Sequence, residues 1–307
     1  MPDLLSNAGR IARAATREGM NPPVYTSIVY PLSIEGGGLV SGEPVSLLLL
    51  AFITAVLIIF AAATNLIDDY FDWLNRVDTP ESTAGSYRKH PIFSMGIRPR
   101  DLFIYGLALI VFASLLVAGY SFLFRAPYLL LLIPAGAFIA YGYTGPPIGL
   151  KYRGISEVAI ASTVLAVYYI SLLSAGVGFS VAVTVFPIPV ALILPVIILS
   201  GHLRDMDSDR KSGLVTLEVR LGRKGTLILA QILVFGFIAL SGYVLFALWD
   251  TPLILIWLLP EIVLGFLLLT IIYRPPSIRI ETQTGNIVFA EIITYFIASI
   301  AFFVIFR

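Results

Sequence analysis

Two short runs of aspartates repeat each other along the chain. Asn65-Leu-Ile-Asp68-Asp69-Tyr-Phe-Asp72 and His202-Leu-Arg-Asp205-Met-Asp207-Ser-Asp209 each close a long apolar stretch. Laid over one another, Asn65, Asp68 and Asp72 match His202, Asp205 and Asp209 at spacings i, i+3 and i+7. At 3.6 residues per turn these positions share one helix face, with Asp69 close to it and Asp207 roughly opposite. An aspartate at the centre of a membrane helix costs about 3 kcal/mol on insertion scales, so such residues sit at the water boundary, pair with one another or do chemistry. Solvated loop ends beside arginines would account for either run alone; the matched pair favours one shared site and an internal duplication. Clustered hard oxygens suit Mg²⁺, which keeps several waters and is held by a few carboxylates together with substrate phosphate oxygens. Two such stripes fit two Mg²⁺ ions that neutralise a leaving diphosphate.

Cations follow both runs: Arg76, Arg88 and Lys89 after the first, Arg210 and Lys211 after the second. They are suited to gripping the remaining phosphate oxygens. A third polar element, Tyr141-Gly-Tyr143-Thr-Gly-Pro-Pro-Ile-Gly-Leu-Lys151-Tyr152-Arg153-Gly-Ile-Ser-Glu157, is rich in turns, with two cations and three tyrosines. Lys151 is placed to hold phosphate, and tyrosine faces can shield a carbocation. Taken alone, the same stretch also fits an interfacial aromatic belt flanked by inside-positive residues. The chain has no cysteine, which excludes disulfides, thiolate metal sites and cysteine nucleophiles. It also has no glycine-rich phosphate loop and no serine–histidine arrangement to compete for the phosphate.

The elements that carry these residues are membrane helices. Of 307 residues, 58% are hydrophobic and only 13% charged, which leaves no room for a sizeable soluble domain. Apolar runs of about twenty residues, without alternation, match a bilayer core of roughly 30 Å and exclude a barrel. Nine spans are predicted, near 22–40, 46–67, 101–124, 127–143, 156–176, 181–202, 225–248, 252–273 and 285–306. The first is interrupted by Glu35 and Gly36-Gly37-Gly38. The fourth is short, and the sixth is expected to be kinked by Pro187, Pro189 and Pro195. With the N-terminus cytoplasmic, the inner segments hold eighteen of the twenty Lys and Arg residues, leaving Arg125 and Arg307 outside. Residues 1–21 are polar and basic, and Arg10, Arg13 and Arg17 suggest a short amphipathic helix on the membrane surface rather than a secretory signal. The expected organisation is this N-terminal segment followed by one transmembrane domain over 22–307, whose nine helices surround a central cavity. Long cytoplasmic cap loops are expected at about 68–100 and 203–224. An apolar cavity above two aspartate stripes fits a substrate with an anionic head and a greasy tail.

The whole chain resembles the UbiA superfamily of intramembrane prenyltransferases. Asn65-x-x-Asp68-x-x-x-Asp72 and Asp205-x-x-x-Asp209 resemble its two aspartate-rich motifs. The stretches 204–222 and 143–157 look most like the menaquinone branch, which joins a polyprenyl chain to 1,4-dihydroxy-2-naphthoate. The resemblance implies a multi-pass cell-membrane enzyme, open toward the cytoplasm, that moves a prenyl group from an isoprenyl diphosphate to a small aromatic acceptor. Asp68, Asp72, Asp205 and Asp209 would hold two Mg²⁺ ions. Asn65 and His202 would position metal, water or phosphate, and Lys151, Arg88, Arg76 and Lys211 would grip phosphate. Tyr143 and Phe71 would shield the allylic cation, and Asp69 would take the acceptor's proton. Neither nucleic acid nor an obligate protein partner is expected. A glycerol-phosphate lipid is the alternative acceptor. A secondary transporter is the more distant rival, but its ion sites cluster near the midplane, whereas Glu35, Glu261 and Glu291 are scattered and read as bundle contacts.

Overall fold

An apolar run in a bilayer must satisfy every backbone N–H and C=O internally, so helices are the expected outcome. The computed structural model describes residues 9–15, 22–82, 90–249 and 254–306; Arg17, Arg88 and Lys89 lie outside these. Among the described residues there is no strand. The helices are α1 (9–15), α2 (Pro22–Ser41), α3 (Leu47–Leu74), α4 (Pro99–Leu123), α5 (Leu132–Gly142), α6 (Ser156–Ala175), α7 (Val181–Val185), α8 (Ile188–Ile193), α9 (Pro195–Ser212), α10 (Leu217–Trp249), α11 (Ile254–Ile272) and α12 (Ile278–Phe306). Among the described residues, six stretches are long and apolar enough to cross a membrane: α3, α4, α6, the broken run Val181–Ser212, α10 and the Ile278–Ala301 part of α12. Pro127–Gly142 and Leu258–Ile272 are shorter apolar helices.

Two expectations change in detail. The second cap segment is largely helical, because α9 continues to Ser212 and α10 begins at Leu217, whereas of the first only the 68–74 end of α3 and the start of α4 are helical among the described residues. The Gly36-Gly37-Gly38 run does not interrupt α2. Its bare backbone lets aromatic rings approach: a Cβ on Gly36 would lie 2.5 Å from the Phe186 ring, and one on Gly37 would collide with the Tyr168 hydroxyl. The prolines of the sixth run do break it, into α7, α8 and α9.

The chain divides into two compact units. The first comprises Met1–Ser27, Thr54–Ser156 and Asp205–Arg220; the second comprises Ile28–Ile53, Glu157–Arg204 and Leu221–Arg307. In the first unit the apolar residues of α1 pack on protein. Ile11, Ala14 and Ala15 form a core with Leu66, Ile97 and Leu102. The Arg10 guanidinium donates to the Met95 carbonyl at 3.0 Å. In the second unit Tyr168 Oη donates to the Val183 carbonyl at 2.7 Å and Tyr295 Oη to the Phe186 carbonyl at 2.9 Å, so rings and backbone interlock. Glu35 accepts the Val45 N–H at 3.1 Å, and Glu261 and Glu291 are fully buried there.

Candidate active site

The extension of α3 beyond its apolar run carries Asp68, Asp69 and Asp72, which are 3%, 0% and 4% exposed. The chain then reverses. Arg76 takes a left-handed φ of 58°, and the N–H groups of Val77 and Asp78 both donate to the Asp72 carbonyl, at 2.8 and 3.1 Å. This turn makes Asp78 another buried carboxylate beside the end of α3.

The third polar element meets this cluster. After α5 the chain loops out and returns, closed by Leu150 N–H to the Gly142 carbonyl at 3.0 Å and Lys151 N–H to the Tyr143 carbonyl at 2.9 Å. A short 3₁₀ turn, Lys151–Arg153, then delivers two neighbouring side chains to one carboxylate. Lys151 Nζ donates to Asp68 Oδ1 at 3.1 Å and to Asp72 Oδ2 at 2.5 Å, while Tyr152 Oη donates to Asp72 Oδ1 at 2.9 Å. Burial alone would lower the Lys151 pKa, but the Asp68 and Asp72 carboxylates outweigh it and hold the ammonium well above its ordinary value. Burial, with Asp72 next in weight, pushes the Tyr152 phenol upward. Both groups therefore remain protonated donors.

The aspartates of the second run, from Asp205 on, lie in the same unit. On α9, Asp209 is buried and Asp205 half-buried. Asp207 is 85% exposed and lies 3.9 Å from Arg210, as the helical-face geometry requires. The Leu214 N–H donates to the Asp209 carbonyl at 2.9 Å and turns the chain. That turn packs on Gly154, where φ is 67° and a Cβ would lie 2.9 Å from Leu217 N and 3.0 Å from the Val215 carbonyl oxygen. Only glycine suits both the left-handed backbone and the approach. Gly154 thus ties the Lys151 segment to the turn that follows Asp209.

The other expected residues fall into place as follows. Phe71 is buried, with its ring edge-on to Tyr141 at 5.8 Å and to Phe103 at 5.9 Å. Tyr143 is half-buried at the loop closure, and Arg76 and Lys211 are exposed. Arg88 lies outside the described residues. Asn65 donates its amide to the Ala15 carbonyl at 2.8 Å, which anchors α1. His202 Nδ1 lies 3.4 Å from Glu157 Oε1, within the second unit. Three residues near the cluster escape sequence reasoning: Tyr152, Asp78 and His90. Tyr152 sits beside Lys151 in a stretch already singled out. Asp78 lies six residues past Asp72, beyond a helical register that the Arg76 turn ends.

The donor set around Asp68 and Asp72 is all oxygen and buried, and it gathers positive charge, as the Lys151 ammonium shows. Two carboxylates converge on one point in a low-dielectric setting, and such a cluster of hard oxygens suits a hard divalent cation. The residues present therefore fit Mg²⁺.

Comparison with known proteins gives the family. UbiA prenyltransferase domain-containing protein 1 of Danio rerio is 30% identical over 244 residues, covering 75% of this chain and 70% of that protein. The 1,4-dihydroxy-2-naphthoate octaprenyltransferase of Bacillus subtilis (strain 168) is 29% identical over 188 residues, covering 60% of this chain and 58% of that enzyme. A UbiA homologue from Archaeoglobus fulgidus, solved bound to GPP and Mg²⁺, shares the fold at a TM-score of 0.64 and 19% identity, over 95% of this chain and 99% of that one. The family model for UbiA prenyltransferases matches residues 29–300. The chain belongs to the UbiA prenyltransferase family.

Proposed function

We propose that this enzyme transfers an isoprenyl chain from a prenyl diphosphate to a small aromatic quinone precursor and releases diphosphate. The observation that carries the reading is the meeting, in one unit, of the buried α3 aspartates, the Lys151–Tyr152 pair and the turn after Asp209. Asp68 and Asp72 would hold one Mg²⁺, and Asp205 and Asp209 a second; the structure of a relative bound to GPP and Mg²⁺ supports the presence of the metal. Bound there, the metal supplies positive charge that stabilises the departing diphosphate.

The chain's own residues do the rest. Tyr152 fixes the plane of the Asp72 carboxylate, and Lys151 adds a charge that stays protonated beside the diphosphate head. Arg76, Arg88 and Lys211 would grip phosphate oxygens, and Asn65 and His202 would position metal, water or phosphate. Ionisation breaks the allylic C–O bond; the aromatic faces of Phe71 and Tyr143 shield the cation. The acceptor attacks it, and Asp69 takes the proton released. The segments around 68–100 and 203–224 cap the site and exclude water, which would otherwise trap the cation.

The reading includes nine transmembrane helices around a central cavity in the cell membrane, behind an N-terminal segment at 1–21. The division of basic residues puts the N-terminus and the site on the cytoplasmic side. Because the chain has no cysteine, single cysteines at Ser86 and Ser212 can be labelled selectively; labelling of both from outside intact cells would overturn this orientation. The naphthoate-branch motifs and the Bacillus subtilis relative support a quinone precursor as acceptor. Mass spectrometry of products from membranes given one prenyl diphosphate and a panel of acceptors tests the reading. Prenylated naphthoate or a related aromatic is expected, and prenyl transfer to a glycerol-phosphate lipid alone would replace that acceptor class.

A further inference from the structure

We propose that His90 is a positioning residue that sets Asp78 as a further carboxylate of this site; the inference rests on the metal-and-diphosphate reading above. His90 is fully buried, and Asp78 is 6% exposed. One ring nitrogen, Nε2, lies 3.1 Å from Asp78 Oδ2. The other, Nδ1, faces the backbone N–H groups of Ile92 at 3.2 Å and Phe93 at 3.5 Å. Backbone N–H groups only donate, so Nδ1 must offer its lone pair, which assigns the ring proton to Nε2 and makes the contact with Asp78 an N–H···O bond.

That tautomer decides between two roles. Ligand atoms of Asp69, Asp78 and His90 all lie within 4.8 Å of one another, a spacing that suits three ligands of one metal. A metal on His90 would need the Nε2 lone pair, and in this tautomer Nε2 carries a proton instead. The ring is a donor that orients the carboxylate, and the oxygens of Asp78 are the cation-seeking atoms. The donor is itself held from several sides. The ring stacks on Phe93 with centroids 4.4 Å apart, and the His90 carbonyl accepts from Ser94 and Met95 N–H at 2.9 and 3.1 Å. Asp78 is held in turn through its own N–H on the Asp72 carbonyl at 3.1 Å. Hydrogen bonds thus run from the 90–95 turn through His90 and Asp78 to the backbone of Asp72, whose side chain binds Lys151 and Tyr152. A buried carboxylate without a donor is costly, and the donors that orient metal-site ligands typically carry large effects on metal binding.

The test uses the full chain purified in detergent, with Mn²⁺ binding followed by electron paramagnetic resonance in the presence of inorganic pyrophosphate. His90→Ala is expected to weaken Mn²⁺ binding by about 10–100-fold. His90→Gln, whose amide N–H can reach Asp78, is expected to bind more tightly than His90→Ala by about tenfold or more. A merely structural role would lower thermal stability while leaving Mn²⁺ binding as in the wild type, and that result on folded His90→Ala overturns the proposal. Should His90→Ala fail to fold, Asp78→Asn decides, because it keeps an acceptor for the ring N–H while losing the charge. Wild-type Mn²⁺ binding by Asp78→Asn also overturns the proposal. Asp72→Asn separates the two levels: if it too binds Mn²⁺ normally, the metal reading itself fails, whereas its loss with His90→Ala unaffected refutes only the role of His90.

Discussion

At the end of α3, Asp68 and Asp72 are almost wholly buried and share the Lys151 ammonium, whereas at the end of α9 Asp209 is buried, Asp205 half-buried and Asp207 solvated. The matched first positions diverge further. Asn65 is spent on the Ala15 carbonyl in the first unit, and His202 sits beside Glu157 in the second. A shared i, i+3, i+7 spacing therefore puts the aspartates on corresponding helix faces without giving them the same burial. The connections differ: a 3₁₀ turn reaches over α3, while a tight glycine-bearing turn closes α9. The first cluster is the more buried half, and the second is the more exposed one.

The contrast can be broken in several ways. The largest expected effect is metal removal: with both clusters built of oxygen ligands, exhaustive EDTA treatment should abolish diphosphate release and Mg²⁺ should restore it. Undiminished turnover after EDTA would remove the metal from both halves. Next come the two lysines. Lys151→Met should cost about 10²-fold in rate, the loss expected for a preorganised electrostatic partner. Lys211→Met, at an exposed position, should cost far less. Equal losses in steady-state assays would show that burial does not separate them.

Gly154→Ala tests the link between the halves. It places a Cβ against Leu217 N and the Val215 carbonyl at a left-handed φ, and a strained residue of that kind costs about 1–3 kcal/mol. A lowered Tm is expected, and an unchanged one would contradict the packing described. The smallest effect concerns pH. Since the folded Lys151 pKa is raised, the stability from its pairing is complete below the ordinary lysine range and is lost only as pH climbs through the higher folded value. The difference in melting temperature between wild type and Lys151→Met should therefore persist through the ordinary lysine range, about pH 10, instead of vanishing there. A difference that vanishes at that pH would mean that Lys151 is not held as described.

Much of this was legible in the amino-acid order. Helical periodicity placed Asp209 inward and Asp207 outward, and the prolines at 187, 189 and 195 marked the breaks between α7, α8 and α9. The loop holding Lys151 was visible as a polar island. Tyr152, Asp78 and His90 were hidden because their roles depend on turns. Tyr152 meets Asp72 only through the 3₁₀ geometry, and Asp78 returns only through the left-handed Arg76. Asn65 fits the metal stripe by spacing, and its Nδ2–H also holds the Ala15 carbonyl, a tertiary contact that no local pattern encodes. The glycine run of α2 looks like an interruption until the rings of Tyr168 and Phe186 are seen against it.

The measurement that bears most directly on one shared site is a double-mutant cycle between the halves, with diphosphate release as the assay and size-exclusion profiles as the folding check. Asp72→Asn and Asp209→Asn should each cost about 10²–10³-fold. Residues acting as a unit are strongly non-additive, so the double variant should be little worse than either alone. Asp207→Ala, facing solvent on the same helix as Asp209, should stay near wild type. Losses that multiply cleanly between Asp72 and Asp209 would show two independent sites, and the single diphosphate site held by both helix ends would be wrong.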